Sequence, residues 1–348
     1  MAFSALAAVF FTGFCVLFAT ILAFSPRQTH DRKKVLARLR AKFPYSVSKI
    51  AHRGGSILGP ENTLYAFHRA VKEGAADMLE LDVRETMDYR IVVCHDEWLE
   101  RLCGSAYKHV TVKDITVGDD PNTNLPQLQR NIPLHFVSSE KTMYCATDSV
   151  PVDGTTRLCL LEEVFEAFPT IPIHIDIKYA SSDFTDRIFD LIKKYGREPV
   201  TFVGSSNWRN EIYITRYMKR LSSQKDKCKF HTFAGPIDYV LVHVAHYIGV
   251  LPLIPLNFDI FSVPLFTKRK KQEIPFFLRP IAQLLNSPSL WMHLQQRGIL
   301  VVGWVLNDVD EFEEASRWPI NGVMTDDPIS FNGFLISHDV SNTMNLLN

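Results

Sequence analysis

The chain has 348 residues, 46% of them hydrophobic and 22% charged, a globular composition that excludes disordered and fibrous architectures. Its 38 Lys and Arg balance 38 Asp and Glu, so no global positive field exists to hold a polyphosphate backbone, and no nucleic-acid partner is expected. Six cysteines without a CxxC pair set neither the fold nor a metal site.

The first element is Ala2 to Phe24, 23 residues without a charge, long enough for a bilayer, which takes about 20. No Lys or Arg precedes the run, as a cleaved leader would require, so residues 1–25 are expected to be a retained transmembrane anchor. A basic juxtamembrane linker, 26–48, follows, with Arg27, Arg32, Lys33, Lys34, Arg38, Arg40 and Lys42 against Asp31 alone. The positive-inside bias then predicts a single-pass membrane protein of the endoplasmic reticulum or another internal membrane, its body cytosolic, with a lumenal body as the alternative.

From Lys49 onward short apolar runs alternate with helical patterns. The strands read KIAHRG, MLELDVR, IVVCHD, PIHIDIK, TFVGS, FHTFAG, LNFDIFSV, ILVVGWVLN and GVMTDD, with helices at 62–74, 158–168, 183–195, 208–221 and 281–297. Such units over residues 49–330 predict an α/β fold, a TIM (β/α)8 barrel, with 331–348 as a tail. Nine strands are one too many. The turn RETMDYR is too short for a crossover helix, so one of the two runs it joins is expected to be a hairpin arm. Residues 105–157, polar and irregular with prolines at 121, 126, 133 and 151, read as an insertion placed to cap the site.

A second apolar region, 231–267, has no Lys, Arg or Glu and is followed by Lys268, Arg269, Lys270 and Lys271. Three readings stand: a buried core helix, a segment at about 237–267 lying in the membrane surface, or a second span cut short by Pro252 and Pro255.

The chemistry lies on two strands. Glu80 and Asp82 share one face of MLELDVR, and His174, Asp176 and Lys178 share one face of PIHIDIK. Converging acids repel, so a divalent cation is expected among Glu80, Asp82 and Asp176; an all-oxygen set favours Mg²⁺ or Ca²⁺. The alternative is that these acids pair with Lys178 and Arg53 alone. His52 and His95 stand at strand ends, and beside Arg53 and Lys178 they read as a general acid and base around a phosphate.

HRGG at 52–55, ENT at 61–63, AFHRAVKEGAADMLELDV, HDEWLERLCG from His95, DIK, WVLN and GVMTDDP in this order resemble the glycerophosphodiester phosphodiesterase family over residues 49–330. The anchor, Asp176 in place of the glutamate of many members, and the long apolar region are similar to its membrane-anchored animal branch, whose members act as lysophospholipases D. The resemblance implies that Glu80, Asp82 and Asp176 hold the metal, His52 and His95 form the acid and base pair, and Arg53 and Lys178 clamp the phosphate. It also implies that Glu61 orients Arg53 or stands behind the metal and that Trp304 walls the site beside the glycerol. WVLN and TDDP read mostly as strand closure and turn, so Asn307, Asp326 and Asp327 are minor candidates. The implied reaction is metal-dependent hydrolysis of a lysophospholipid substrate at the membrane, giving lysophosphatidic acid and free head group. The alternatives are a phosphodiesterase for water-soluble glycerophosphodiesters and an inactive membrane scaffold.

Overall fold

The computed structural model describes residues 32–223 and 230–338; the expected anchor at 1–25 and the end of the expected tail, 339–348, lie outside them. Eight strands form the barrel: β1 (Lys49–Ala51), β2 (Met78–Glu85), β3 (Ile173–Ile177), β4 (Thr201–Gly204), β5 (His231–Thr232), β6 (Ile260–Pro264), β7 (Leu300–Trp304) and β8 (Gly322–Thr325). All neighbours run parallel, and β8 pairs with β1. Between β5 and β6 the contact thins to a bridge at Phe233 and Ile260, so the sheet is nearly closed. The surplus strand is the hairpin arm: Ile91–Val93 runs antiparallel to β2, with Val83 opposite Val93.

The helices are α1 (Arg32–Lys42), α2 (Leu64–Lys72), α3 (Leu161–Ala167), α4 (Ser182–Lys194), α5 (Trp208–Ser223), α6 (Pro236–Tyr247), α7 (Arg279–Leu285), α8 (Pro288–Gln296), α9 (Val309–Ala315) and α10 (Pro328–Ser337), besides short turns of helix. On β2 the period of two does what the sequence requires. Leu79, Leu81 and Val83 face outward onto Phe165, Phe184 and Ile188, and Glu80 and Asp82 face the lumen.

Four expectations change. Residues 32–47, read as linker, plug the bottom of the barrel. Val35 and Leu39, one helical turn apart, are buried with Phe43 and Val47 against Ile50, Phe202, Ile260 and Leu300. Lys42 ties this plug to Asp259 at 2.7 Å and to the Gly298 carbonyl at 2.8 Å. The helix expected at 281–297 is two helices, because Pro288 has no N–H to continue the first and the Asn286 side chain pairs with the Phe266 backbone instead. Residues 331–337, read as tail, continue α10, which buries Phe331, Phe334 and Leu335. The insertion has an apolar centre of its own, Val112, Val117, Leu125, Ile132, Leu134 and Tyr144, dispersed singly among polar residues. Its hairpin pairs Asn131–Pro133 with Met143–Cys145, and it is fastened to the rim after β7 by Asn307 Nδ2 on the Phe136 carbonyl at 3.0 Å.

The apolar stretch 231–267 divides. Val242, Ala245, Leu251, Phe258, Phe261, Val263 and Leu265 are core, so the buried reading holds for β6 and one side of α6. Alternate residues of α6 are exposed. Among the described residues no helix is long and apolar enough to cross a membrane, so a second span is not found there.

Candidate active site

The C-terminal ends of the strands surround a cavity of about 420 Å³, the position at which barrels of this class carry their sites. A larger groove, about 590 Å³, flanks β5 and contains neither His52 nor His95. The strand ends bring every chemical candidate together except Glu61, which sits one layer behind.

After β1 the chain turns sharply: Arg53, Gly54 and Gly55 have φ of 51°, 81° and 81°. Glycine takes this left-handed region freely, and a Cβ at Gly54 would lie 2.7 Å from the Phe67 ring. At Arg53 the same conformation costs about 1–2 kcal/mol. It is held because the Arg53 N–H donates to Glu80 Oε2 at 2.8 Å and its guanidinium to Glu61 Oε1 at 2.9 Å. Glu61 also accepts from Arg101 at 2.7 and 2.8 Å. The strained turn therefore aims both the amide and the guanidinium of Arg53 at the acids of β2.

The β2–β3 register sets Glu80 beside His174 and Asp82 beside Asp176. Lys178 sits between two carboxylates, 3.1 Å from Asp82 Oδ1 and 2.7 Å from Asp176 Oδ2. Burial opposes ionisation of Asp82, but Lys178 and Arg53, with a hydrogen bond from Asn62 at 2.9 Å, hold its carboxyl well below the usual range. Glu80 has only the Arg53 N–H and, at 3.9 Å, His52 Nε2 beside it, and burial with the Asp82 charge pushes it up to about 7. Pairing with Lys178 and Arg53 alone thus accounts for Asp82 and Asp176 and leaves Glu80 under-neutralised. An oxygen donor set with one carboxylate short of positive charge fits a hard divalent ion. Among the described residues, only His95, Asp96 and His135 offer three ligand-type atoms within 4.8 Å of one another.

Each candidate histidine rests on an aspartate. His52 Nδ1 is 2.6 Å from Asp326 Oδ1, and Asp326 is itself fixed by Ser56 Oγ at 2.6 Å and Asn307 Nδ2 at 2.9 Å. Burial opposes a charge on His52, but Asp326 and Glu80 raise its pKa above the ordinary value. His95 Nδ1 lies 2.7 Å from Asp96 Oδ1, and Asp96 also accepts from Arg101 at 2.6 Å and faces His135 at 3.2 Å. For His95 the balance is reversed: burial, with Arg53 and Lys178, lowers its pKa despite Asp96. Both rings are thereby oriented with Nε2 away from the aspartate. His174, on the same face as Asp176, is a packing residue. It stacks on Phe233 with centroids 3.9 Å apart, and burial pushes it down to about 4, so it stays neutral. Gly204 permits this stack, since a Cβ there would meet the Phe233 ring at 2.5 Å.

The remaining wall is apolar. Trp304, at the end of β7, meets Phe136 of the insertion edge-on with centroids 6.1 Å apart, and Pro236, Tyr239 and Pro264 continue the lining. With Phe136 in the wall, the insertion does cap one side of the cavity.

A model of the glycerophosphoryl diester phosphodiesterase family matches residues 52–246. The chain belongs to that family. It is 33% identical over 325 residues to human lysophospholipase D GDPD1, covering 89% of this chain and 90% of that one. Human lysophospholipase D GDPD3 is 29% identical over 83% of this chain and 85% of its own. The solved glycerophosphoryl diester phosphodiesterase domain of a Mycobacterium tuberculosis protein superposes with a TM-score of 0.56 at 16% identity, covering 83% of this chain and 99% of that domain. This last likeness is one of fold. As a member of the family, the chain is a phosphoric diester hydrolase.

Sequence reasoning undervalued Asp326 and Asn307 and passed over Asn62, Asp96, His135 and Phe136. Asp96 had a signal in the HDE triplet; His135 and Phe136, inside an irregular insertion, had none.

Proposed function

We propose that this phosphodiesterase hydrolyses lysoglycerophospholipids on the head-group side of phosphorus, giving lysophosphatidic acid and a free head group. The observation that carries this reading is the pairing, within one cavity, of a cationic and histidine-bearing side with the apolar wall of Phe136, Phe233, Tyr239 and Trp304. A phosphate and an acyl-bearing glycerol need those two sides. The names of the human relatives agree with it.

In this reading Arg53 and Lys178 bind the non-bridging phosphate oxygens, and Glu61 keeps Arg53 in place. His95, neutral because burial lowers its pKa, accepts the proton of the attacking hydroxyl, which is water or a free glycerol 2-hydroxyl. With the 2-hydroxyl the first product is a cyclic phosphate that water then opens. His52, kept protonated by Asp326, donates to the leaving head-group oxygen. Trp304 packs beside the glycerol. Glu80, Asp82 and Asp176 would hold one divalent cation, Mg²⁺ or Ca²⁺, which when bound polarises the phosphoryl group and offsets its developing charge. Ala2–Phe24 supports a single-pass anchor in an internal membrane with the body cytosolic; protease protection of sealed microsomes tests that orientation.

The deciding experiment incubates the purified full chain with a panel of lysophospholipids and identifies products by mass spectrometry. Lysophosphatidic acid with free head group is expected. Release of fatty acid, or cleavage of soluble glycerophosphodiesters alone, sinks the proposal.

Asp96 supplies a test of the base. Asp96→Asn keeps the shape but removes the charge that raises the His95 pKa against burial, Arg53 and Lys178. The acidic limb of kcat/KM is expected to move to lower pH, because the base is active when deprotonated and its pKa falls further. The plateau kcat should drop by as much as roughly 10⁴-fold, since an amide admits the wrong tautomer. A pH profile with an unmoved acidic limb removes His95 from the role of base.

A further inference from the structure

Helix α6 buries Val242 and Ala245 and carries a second apolar stripe on its outer side. Ile237, Val240, Leu241, Val244, Tyr247 and Ile248 repeat at the spacing of one helical stripe, and all are exposed, Val240 at 61% and Ile248 at 65%. Asp238, Tyr239 and His243 of the same helix are turned inward. Beside it Phe276, Phe277 and Leu278, with Ile281 and Leu284 of α7, form a second exposed stripe in which Phe276 is 78% exposed. The two stripes join: the Tyr247 hydroxyl donates to the Leu284 carbonyl, and His246 meets Ser289 at 3.1 Å. A water-facing surface of a monomer rarely carries so many adjoining apolar side chains.

From this geometry we infer that the α6 and 276–284 face is the surface on which the barrel sits against an anionic bilayer, with Phe276 and Phe277 entering the acyl region. Three observations select a bilayer as the occupant. Lys271, tied to Gln283 of α7 at 2.7 Å, and Arg279, the first residue of α7, border the face; cations at the edge of an apolar face complement an anionic leaflet. An uncharged 23-residue run ends at Phe24, only seven residues (25–31) before the described chain begins. Helix α1, where that chain begins, packs on α8, and Ser289 of α8 meets His246 of α6 at 3.1 Å. The start of the described chain is thus one helix away from the face.

The face also opens onto the site. Pro236 and Tyr239 line the catalytic cavity, while their neighbours Ile237 and Val240 point outward. A lysolipid leaving the leaflet over α6 reaches Trp304 and the phosphate-binding side without crossing water. This face takes only the start of the segment 237–267 that the sequence marked and adds 276–284 to it. Val250 is half-buried and belongs to the core margin, and the aromatic wedge at 276–277 lies beyond the apolar run altogether.

The test uses the full chain with Phe276→Trp in vesicles of two parts phosphatidylcholine to one part phosphatidylserine, with bromine on the acyl chains. Emission gained over the unsubstituted protein is expected to be quenched. In parallel, Val244→Asp with Phe277→Asp should lower turnover of vesicle lysolipid about tenfold or more, with the melting temperature and turnover of a soluble glycerophosphodiester nearly unchanged. The turnover arm rests on the proposed lysolipid activity; the quenching arm does not, so the two readings fail separately. Gained emission that stays unquenched in the Phe276→Trp variant overturns the inference. If that result is accompanied by a dimer in detergent, the face belongs to a second copy; if by a monomer, it belongs to residues 2–24 of the same chain.

Discussion

Replacing His95 by Ala is expected to lower kcat by about 10²- to 10⁴-fold, the usual contribution of a positioned proton-transfer group, with little change in melting temperature. The ring is part exposed at the mouth, and its removal leaves Asp96 with Arg101 and His135. His52→Ala should cost a similar factor, but its structural effect differs. His52 is a hydrogen-bonding partner, at 2.6 Å, of Asp326, which is buried and is otherwise held by Ser56 and Asn307. Leaving that carboxylate without this partner costs stability as well as rate. His52→Gln separates the two effects, since an amide can still donate to Asp326 yet cannot deliver a proton. Steady-state kinetics beside thermal melts of the three variants read both. Near-normal kcat in His52→Gln or His95→Ala would take that histidine out of the reaction. The double variant should fall little below the worse single one, because the two residues act in one step.

The barrel and its inward acids were legible because both rest on local periodicity. A strand of period two puts Glu80 with Asp82 and His174 with Asp176 and Lys178, whatever the rest of the chain does. The parallel register that sets Asp82 against Asp176 then follows from the β2–β3 pairing. What could not be read is what barrel closure brings together. Asp326 and His52 are 274 positions apart, and they meet because β8 pairs with β1. Nothing local marks Asp326 over Asp327, yet the first holds His52 while the second accepts from the Ser330 N–H at 3.0 Å as the cap of α10. In TDDP one acid holds a histidine of the cavity and the other starts a helix.

The apolar region shows a different failure. Composition over 231–267 averages two strands, a helix apolar on both sides and loop residues into one stretch, so it pointed to a membrane without separating the exposed stripe at 237, 240, 241, 244, 247 and 248 from buried Val242 and Ala245. The other half of that face, 276–284, lies beyond the Lys268–Lys271 cluster and is interrupted by Arg279, Pro280 and Gln283, so no long uncharged run marked it. Burial is decided by periodicity and neighbours; composition alone cannot assign a side. The same limit applies to the insertion, whose core residues come one at a time.

Chelation is expected to remove activity by a factor on the order of 10³ or more, because a bound divalent cation supplies several kcal/mol of charge stabilisation to a phosphoryl transition state and about 1.4 kcal/mol is tenfold in rate. The fold should survive, since Lys178 bridges Asp82 and Asp176 without help and the barrel core is independent of the site. Activity should return with Mg²⁺ or Ca²⁺, and the better ion is the one the site selects. Ligand variants sharpen the test. Asp176→Asn removes a charge and should act like partial chelation, whereas Asp176→Glu keeps the charge, lengthens the reach by one methylene and should be the milder change. Glu80→Gln is the most telling of the set. Burial and Asp82 already push Glu80 up to about 7, so in the absence of an ion an uncharged amide there relieves repulsion and should stabilise the fold slightly. With the ion present the same amide deletes a ligand, so added Mg²⁺ or Ca²⁺ should raise the melting temperature of the original chain and much less that of Glu80→Gln. Equal shifts in both proteins, or full turnover after exhaustive chelation, would leave Lys178 and Arg53 as the only cations the acids require.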